Sequence, residues 1–236
     1  MTTTLVTNNT NFSQTDFQGY SYINVYIYGA GGGSTQANTS TPSKYNDYTS
    51  VTTPACGAGS GGYIAISNVP VNSLASITAV IGLGGQVSAS GGNTSVTFVY
   101  SDGRSYTYTA GGGGGVSGSN SSTPGYGGQN SISSQIPGTS CNSVNGVSGG
   151  AIGASGSGNG YTSSGSGSSS DSSTIVGVPP KYTQTIYNVT VINQGAGSNT
   201  LPSGYGSGAA GTPANYNKNA PAYKVGTSGA VVFYMK

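Results

Sequence analysis

Four times in this chain a strand pattern runs straight into a cluster of glycines. Tyr106-Thr107-Tyr108-Thr109-Ala110 leads into Gly111-Gly112-Gly113-Gly114-Gly115, and Tyr22–Tyr28 leads into Gly29-Ala30-Gly31-Gly32-Gly33. Residues 77–81 lead into Gly82-Leu83-Gly84-Gly85, and residues 186–194 into Gly195-Ala196-Gly197. One tight turn needs one or two glycines. A longer run is either a solvated loop or a place where backbone packs on backbone with no room for side chains. Polyproline-II geometry has three residues per turn and no internal hydrogen bonds, so segments lying side by side can bond to one another. That packed arrangement is expected for 111–115, and a flexible loop for the Ser/Gly/Asn tract 153–173.

The chain has 43 glycines in 236 residues, and only 4% of its residues are charged, against roughly a quarter in ordinary soluble proteins. Disordered chains usually carry high net charge or few aromatics. This one has 18 Tyr and 4 Phe, and its apolar residues sit in patterned strands. Ile23, Val25 and Ile27 share one face of Tyr22–Tyr28, with Tyr22, Asn24, Tyr26 and Tyr28 on the other. Further strands are expected at 3–7, 63–69, 74–81, 94–100, 105–110 and 181–194, and a buried one near 230–235. Residues 12–19 read as a loop or short strand ending in a turn, and 34–61 as a long polar excursion. Ser101-Asp102-Gly103-Arg104 lies between two alternating runs, so Asp102-Gly103 predicts a hairpin with a type I′ turn. Long helical periodicity is missing. The predicted fold is all-β: a β-sandwich-like domain with glycine-rich loops, polyglycine-II packing among the expectations for them, and few or no helices. One domain is expected over 1–236. It is strand-rich over 1–110, glycine- and serine-rich over 111–180 and 195–229, and closed by strands at 181–194 and 230–235, with the first and last strands meeting in one sheet.

No catalytic constellation is expected. Histidine is absent, so Ser-His-Asp and Cys-His arrangements cannot form. The acids are Asp16, Asp47, Asp102 and Asp171, too scattered to suggest a carboxylate pair. Gly57-x-Gly59-x-Gly61-Gly62 mimics a dinucleotide loop but precedes a strand rather than a helix. No cofactor or metal is expected. Net charge is +2, with the bases Lys44, Arg104, Lys181, Lys218, Lys224 and Lys236 dispersed, which argues against nucleic acid. No run of about 18 apolar residues predicts a membrane span, and residues 1–8 lack the basic start and apolar core of a signal peptide. So little charge repulsion favours association, and a chain that lives in an assembly.

Tyr45, Tyr48, Tyr126, Tyr161, Tyr205, Tyr216 and Tyr223 lie in polar, glycine- or proline-rich loops. A flat ring with a hydroxyl suits sugar stacking and protein interfaces, and it equally suits packing over strand edges or subunit contacts. Cys56 and Cys141 either close a disulfide, worth about 4 kcal/mol by chain entropy, or stand as two small apolar residues. Asn-x-Ser/Thr triplets begin at Asn8, Asn11, Asn38, Asn93, Asn120 and Asn188, as expected by chance in so polar a chain.

The order of motifs resembles the glycine-rich domains of phage tail-fibre adhesins and of large-virus glycine-rich surface proteins. A strand ends Val-x-x-x-Gly-Ala-Gly-Gly-Gly (25–33), then come Gly61-Gly62-Tyr63, Ile-Gly-x-Gly-Gly (81–85) and Gly91-Gly92-Asn93-Thr94-Ser95-Val96. Ala-Gly-Gly-Gly-Gly-Gly (110–115) follows, and Gly-x-Val-Val-x-Tyr (229–234) closes the series. Residues 116–228 depart from the pattern. The resemblance implies stacked polyglycine-II segments and a structural protein on the virion surface. Such a protein would be a fibre-tip adhesin or a surface or decoration subunit, partnered by itself, by other virion proteins and by a host-surface glycan or protein. A self-assembling subunit of a microbial extracellular filament, pairing through its N-terminal strand, is the alternative. An ice- or polysaccharide-surface binder with flat Thr/Ser arrays is a third reading.

Overall fold

The computed structural model describes residues 1–34, 57–116, 125–146, 148–149, 205–209 and 225–236, and the backbone of short strand segments elsewhere. In chain order the strands are β1 (Thr2–Val6), β2 (Thr10–Ser13), β3 (Tyr22–Tyr28), β4 (Asn38–Thr39), β5 (Tyr48–Thr53), β6 (Tyr63–Pro70), β7 (Leu74–Val80), β8 (Thr94–Tyr100) and β9 (Ser105–Ala110). They continue as β10 (Ser131–Ile132), β11 (Ser140–Val144), β12 (Gln184–Ile186), β13 (Val189–Val191), β14 (Asn193–Gln194), β15 (Ser203–Gly204), β16 (Asn215–Asn217) and β17 (Ala230–Met235). One short 3-10 helix, Gln14–Phe17, follows β2. Among the described residues no helix is long and apolar enough to cross a membrane.

Two five-stranded antiparallel sheets form the body, ordered β1-β17-β3-β6-β11 and β10-β9-β8-β7-β2. The fold is therefore all-β and sandwich-like. β1 and β17 pair from Thr2↔Met235 to Val6↔Val231, so the first and last strands do meet in one sheet. The core lies between the sheets. Ile23, Val25, Ile27, Ile64, Ile66, Val231 and Phe233 face Ile77, Val96, Phe98 and Tyr108 across it. Burying each of these is worth about 1.5–3 kcal/mol. Along β8 burial alternates residue by residue, the mark of an antiparallel sheet with one wet face. Thr97 and Thr107 share a 3.0 Å hydroxyl hydrogen bond across that outer face. The opposite sheet is partly buried on its outer face as well, where Tyr28, Tyr63 and Val232 cluster with Tyr205 packed against them.

Two local expectations need correction. The β8–β9 hairpin forms, with Val99↔Ser105 as its last paired residues. Its connection is not type I′, however. Gly103 donates to the Tyr100 carbonyl (2.9 Å), Tyr100 donates to the Arg104 carbonyl (2.9 Å), and only Gly103 has positive φ, +85°. This is the pattern of a type I turn followed by a G1 bulge, in which three residues form the loop and Asp102 stays right-handed. The single strand expected over 181–194 instead turns back on itself, because β12 and β13 pair antiparallel from Gln184↔Val191 to Ile186↔Val189. The glycine- and serine-rich middle also holds β11, an edge strand on β6.

The chain has no histidine, so stability should be flat from about pH 5 to 9. Burial, reinforced by Tyr106 and Tyr108, pushes the Tyr100 hydroxyl up to about 12, and burial also raises Tyr108. A raised phenol keeps its proton in the fold, so this stability is complete below the unfolded value near 10 and is lost as pH rises towards 12. Thermal midpoints measured across pH should show that plateau and then a fall.

Candidate functional site

Every strand of the two main sheets has one end towards the same pole. There the chain passes into glycine-rich segments at 29–34, 57–62, 82–86, 89–93, 111–116, 125–129, 148–149, 206–209 and 226–229, and Gly146 joins them. These segments pack together as a bundle with little side chain. The residues from Gly29 to Ser34 and from Gly57 to Gly62 are all buried. A buried amide must find a partner, and each amide from Gly29 to Gly33 does so on another segment. Gly29 and Gly32 donate to Gly62 and Gly59, Ala30 and Gly33 to Gly92 and Ala89, and Gly31 to Thr227, at 2.8–3.1 Å. Every third residue returns to the same neighbour, which is the period of a polyproline-II helix.

The run 111–116 follows the same rule. Gly113 and Val116 donate to the carbonyls of Ala30 and Gly33. Gly114 donates to Tyr126 and Gly111 to the Asn130 side chain on a second side. Gly112 and Gly115 donate to the side chains of Asn93 and Ser90 on a third. Segment 29–34 is the axis, hydrogen-bonded to 57–62, 82–86, 89–93, 111–116, 206–209 and 226–229.

Glycine is required here for space. Only Gly19, Gly103, Gly138 and Gly206 among the described glycines have positive φ, so the runs are not turns. A Cβ on Gly31 would overlap the Ser207 carbonyl, one on Gly33 the Gln86 carbonyl, and one on Gly113 the Gly59 carbonyl. Where a side chain does occur it finds a gap: Ala58, Val116 and Ala209 form a small apolar cluster within the bundle.

The bundle has a face turned away from the sheets. Because Gly29 bonds Gly62 while Gly32 bonds Gly59, Ser34 and Gly57 lie at that distal face. The turn from Gln86 to Ala89, closed by a 2.9 Å hydrogen bond, also lies there, as do Val116, Gly125, Gly149, Ala209 and Val225. The connections 35–56, 117–124 and 210–224 therefore leave from and return to the distal face, and the chain also leaves it after Gly149.

This sorts the tyrosines singled out in the sequence. Tyr126 is on the distal face, 61% exposed. Its ring lies over Gly114 and its carbonyl accepts the Gly114 amide at 2.7 Å, so the ring sits on a fixed floor with its other side to solvent. Tyr48 and Tyr216 lie on β5 and β16, which pair with Tyr216↔Thr49 and Asn217↔Tyr48; with β4 they form a three-stranded sheet built from two distal connections. Tyr205 is elsewhere, half-buried against Tyr28, Tyr63 and Val232, and acts in packing. Tyr45, Tyr161 and Tyr223 lie outside the described residues. Cys141 is a free, half-buried thiol, raised by burial; Cys56 lies outside the described residues. Asp102 and Gly103 are at the opposite pole.

Asn130 is a residue that sequence reasoning missed. Its side chain occupies the space a Cβ on Gly62 would need. It accepts from the Gly111 amide (3.1 Å) and donates to the carbonyls of Tyr63 (2.9 Å) and Val144 (2.8 Å). It thus joins the sheet to the bundle. An Asn within Gly-Gly-Gln-Asn carries no local signal of that role. The charged side chains among the described residues are Asp16, Asp102, Arg104 and Lys236, none of them in the glycine segments, so the described part of the bundle is uncharged. It offers hydroxyls, amides and Tyr126, which suits stacking and neutral hydrogen bonding rather than ion pairing. No family model and no curated protein matches the chain.

Proposed function

We propose that this is a non-enzymatic structural protein exposed on a virus particle, as a fibre-tip adhesin or a surface or decoration subunit, acting by assembly and by contact with a host surface. One observation carries the reading: a hydrogen-bonded glycine bundle, uncharged in its described residues, holds the ends of several polar, tyrosine-bearing connections on one face. A rigid platform that presents loops is the usual way a scaffold supports recognition. Met1 and Lys236 lie at the opposite pole, where the Lys236 carbonyl accepts the Ser21 amide at 2.7 Å. The resemblance of the glycine-motif order to that of phage and large-virus glycine-rich proteins supports the particle setting. The filament alternative uses β1 as a donor strand. β1 is paired along its length with β17 of the same chain, so that reading requires the ladder to open first.

The test is binding of the labelled full chain to cells and to a glycan array. Saturable binding is expected, and Tyr126→Ala should weaken it about tenfold, as loss of an aromatic anchor does, with an unchanged thermal midpoint. Absence of saturable binding on every surface would remove the adhesin role.

A further inference from the structure

At the pole opposite the bundle, three connections enclose an open cavity of about 220 Å³. Pro70, Asn72 and Ser73 contribute from the β6–β7 turn, Tyr100, Ser101, Asp102, Arg104 and Tyr106 from the hairpin, and Ile136 and Pro137 from the bend before β11. Tyr100 and Tyr106 meet edge to face, with centroids 5.8 Å apart and planes at 89°. The Arg104 guanidinium is fixed in place. Its Nε donates to Asp102 Oδ2 at 2.6 Å, its Nη1 reaches the Tyr106 hydroxyl at 3.5 Å, and it lies 5.9 Å from the Tyr100 ring centroid. The Tyr100 hydroxyl is already used, donating to the Pro70 carbonyl at 3.2 Å. The Asn72 amide and the Ser73 and Ser101 hydroxyls remain at the rim, exposed and without a side-chain hydrogen bond among the described residues.

We propose that this cavity binds one pyranose ring of a neutral glycan. The volume is below the roughly 300–1,000 Å³ of sites for drug-sized ligands, which limits the occupant to a single ring. Pro70, Pro137 and the tyrosine edges give an apolar strip for the C–H side of a sugar. Asp102 and Arg104 set a strong acceptor beside a strong donor, and neighbouring sugar hydroxyls can satisfy both at once. The pair is an internal ion pair, so the pocket carries no net charge and holds no uncompensated cation for an acidic sugar. Asn72, Ser73 and Ser101 supply the neutral donors and acceptors that a hydroxyl-rich ring needs. The site is separate from the distal face and does not depend on its role.

The experiment is an amide NMR titration of the full chain with the methyl glycosides of glucose, galactose, mannose and N-acetylglucosamine. Weak binding of at least one is expected, with Kd about 1–10 mM, and with shifts centred on Asn72 and on residues 101–104. Asn72→Ala and Arg104→Gln, both on exposed side chains, should each weaken it about tenfold without moving the thermal midpoint. Three results would overturn the proposal: no shift with any neutral glycoside, shifts that survive both substitutions, or tighter binding of glucuronate than of its neutral counterpart. Tyr126→Ala, which reports on the distal face, should leave this titration unchanged.

Discussion

Gly113→Val should leave the chain unable to reach its fold, although the substitution lies in a run of five glycines that a composition-based reading would leave in solvent. The Gly113 amide donates to Ala30 at 2.8 Å and its carbonyl accepts from Gly91 at 2.9 Å. Its missing Cβ points at the Gly59 carbonyl and Ser60. Extra carbon in a packed core typically costs about 1–3 kcal/mol when side chains can give way. Here the obstacle is main chain. Segment 57–62 is held by Gly29, Gly32, Gly114 and Gly111, so moving it breaks several hydrogen bonds at about 1 kcal/mol each. Alanine at 113 should therefore cost about 3–5 kcal/mol, and valine should consume most of the roughly 5–15 kcal/mol available to a domain. Gly103→Ala is the control. It has open space around its Cβ and φ of +85°, so it should cost only the left-handed penalty of about 1–2 kcal/mol and still fold. Soluble yield and circular dichroism of the three variants check the order.

Asn130→Ala should be the most damaging polar substitution among the described residues, at about 3 kcal/mol. It removes the acceptor of the Gly111 amide and one donor each from the Tyr63 and Val144 carbonyls, and an unmade buried hydrogen bond costs about 1–3 kcal/mol. Partial access of water to this half-buried site keeps the total below the sum. Asn130→Asp is the sharper test. It keeps an acceptor for Gly111 but loses both donors and turns a carboxylate towards two carbonyls, so it should be no more stable than alanine. Urea midpoints with an unchanged slope would confirm that the effect is on stability alone.

The strands were legible where one face is wet. Thr94–Tyr100 and Ser105–Ala110 match their sequence patterns residue for residue, because burial there alternates; Tyr22–Tyr28 was legible from its Ile/Val alternation, although most of both its faces is buried. β11 was not legible, since Ser140-Cys141-Asn142-Ser143-Val144 is polar on both faces and becomes a strand through its ladder to β6. The hairpin was legible but its turn was not, because Asp-Gly serves a type I turn with a G1 bulge as well as type I′. The packing of 111–115 could be anticipated, but its partners could not. Glycine has no side chain to advertise a neighbour, and the topology of the strand ends selects which segments meet. The tyrosines were read singly from their surroundings. Only the topology separates Tyr126, on the distal face, from Tyr205, which packs against Tyr63. Asn130 and the Tyr100–Arg104 pocket depend on residues brought together from distant parts of the chain.

Native-state amide hydrogen exchange tests the bundle most directly, because it reads each glycine amide on its own. The amides from Gly29 to Gly33, with Gly59, Gly62, Gly113 and Gly114, should exchange as slowly as those of Ile27 and Phe98 in the sheets, and should open together with them. Exchange of these glycine amides at the rate of an unstructured chain, while the strands stay protected, would contradict the account.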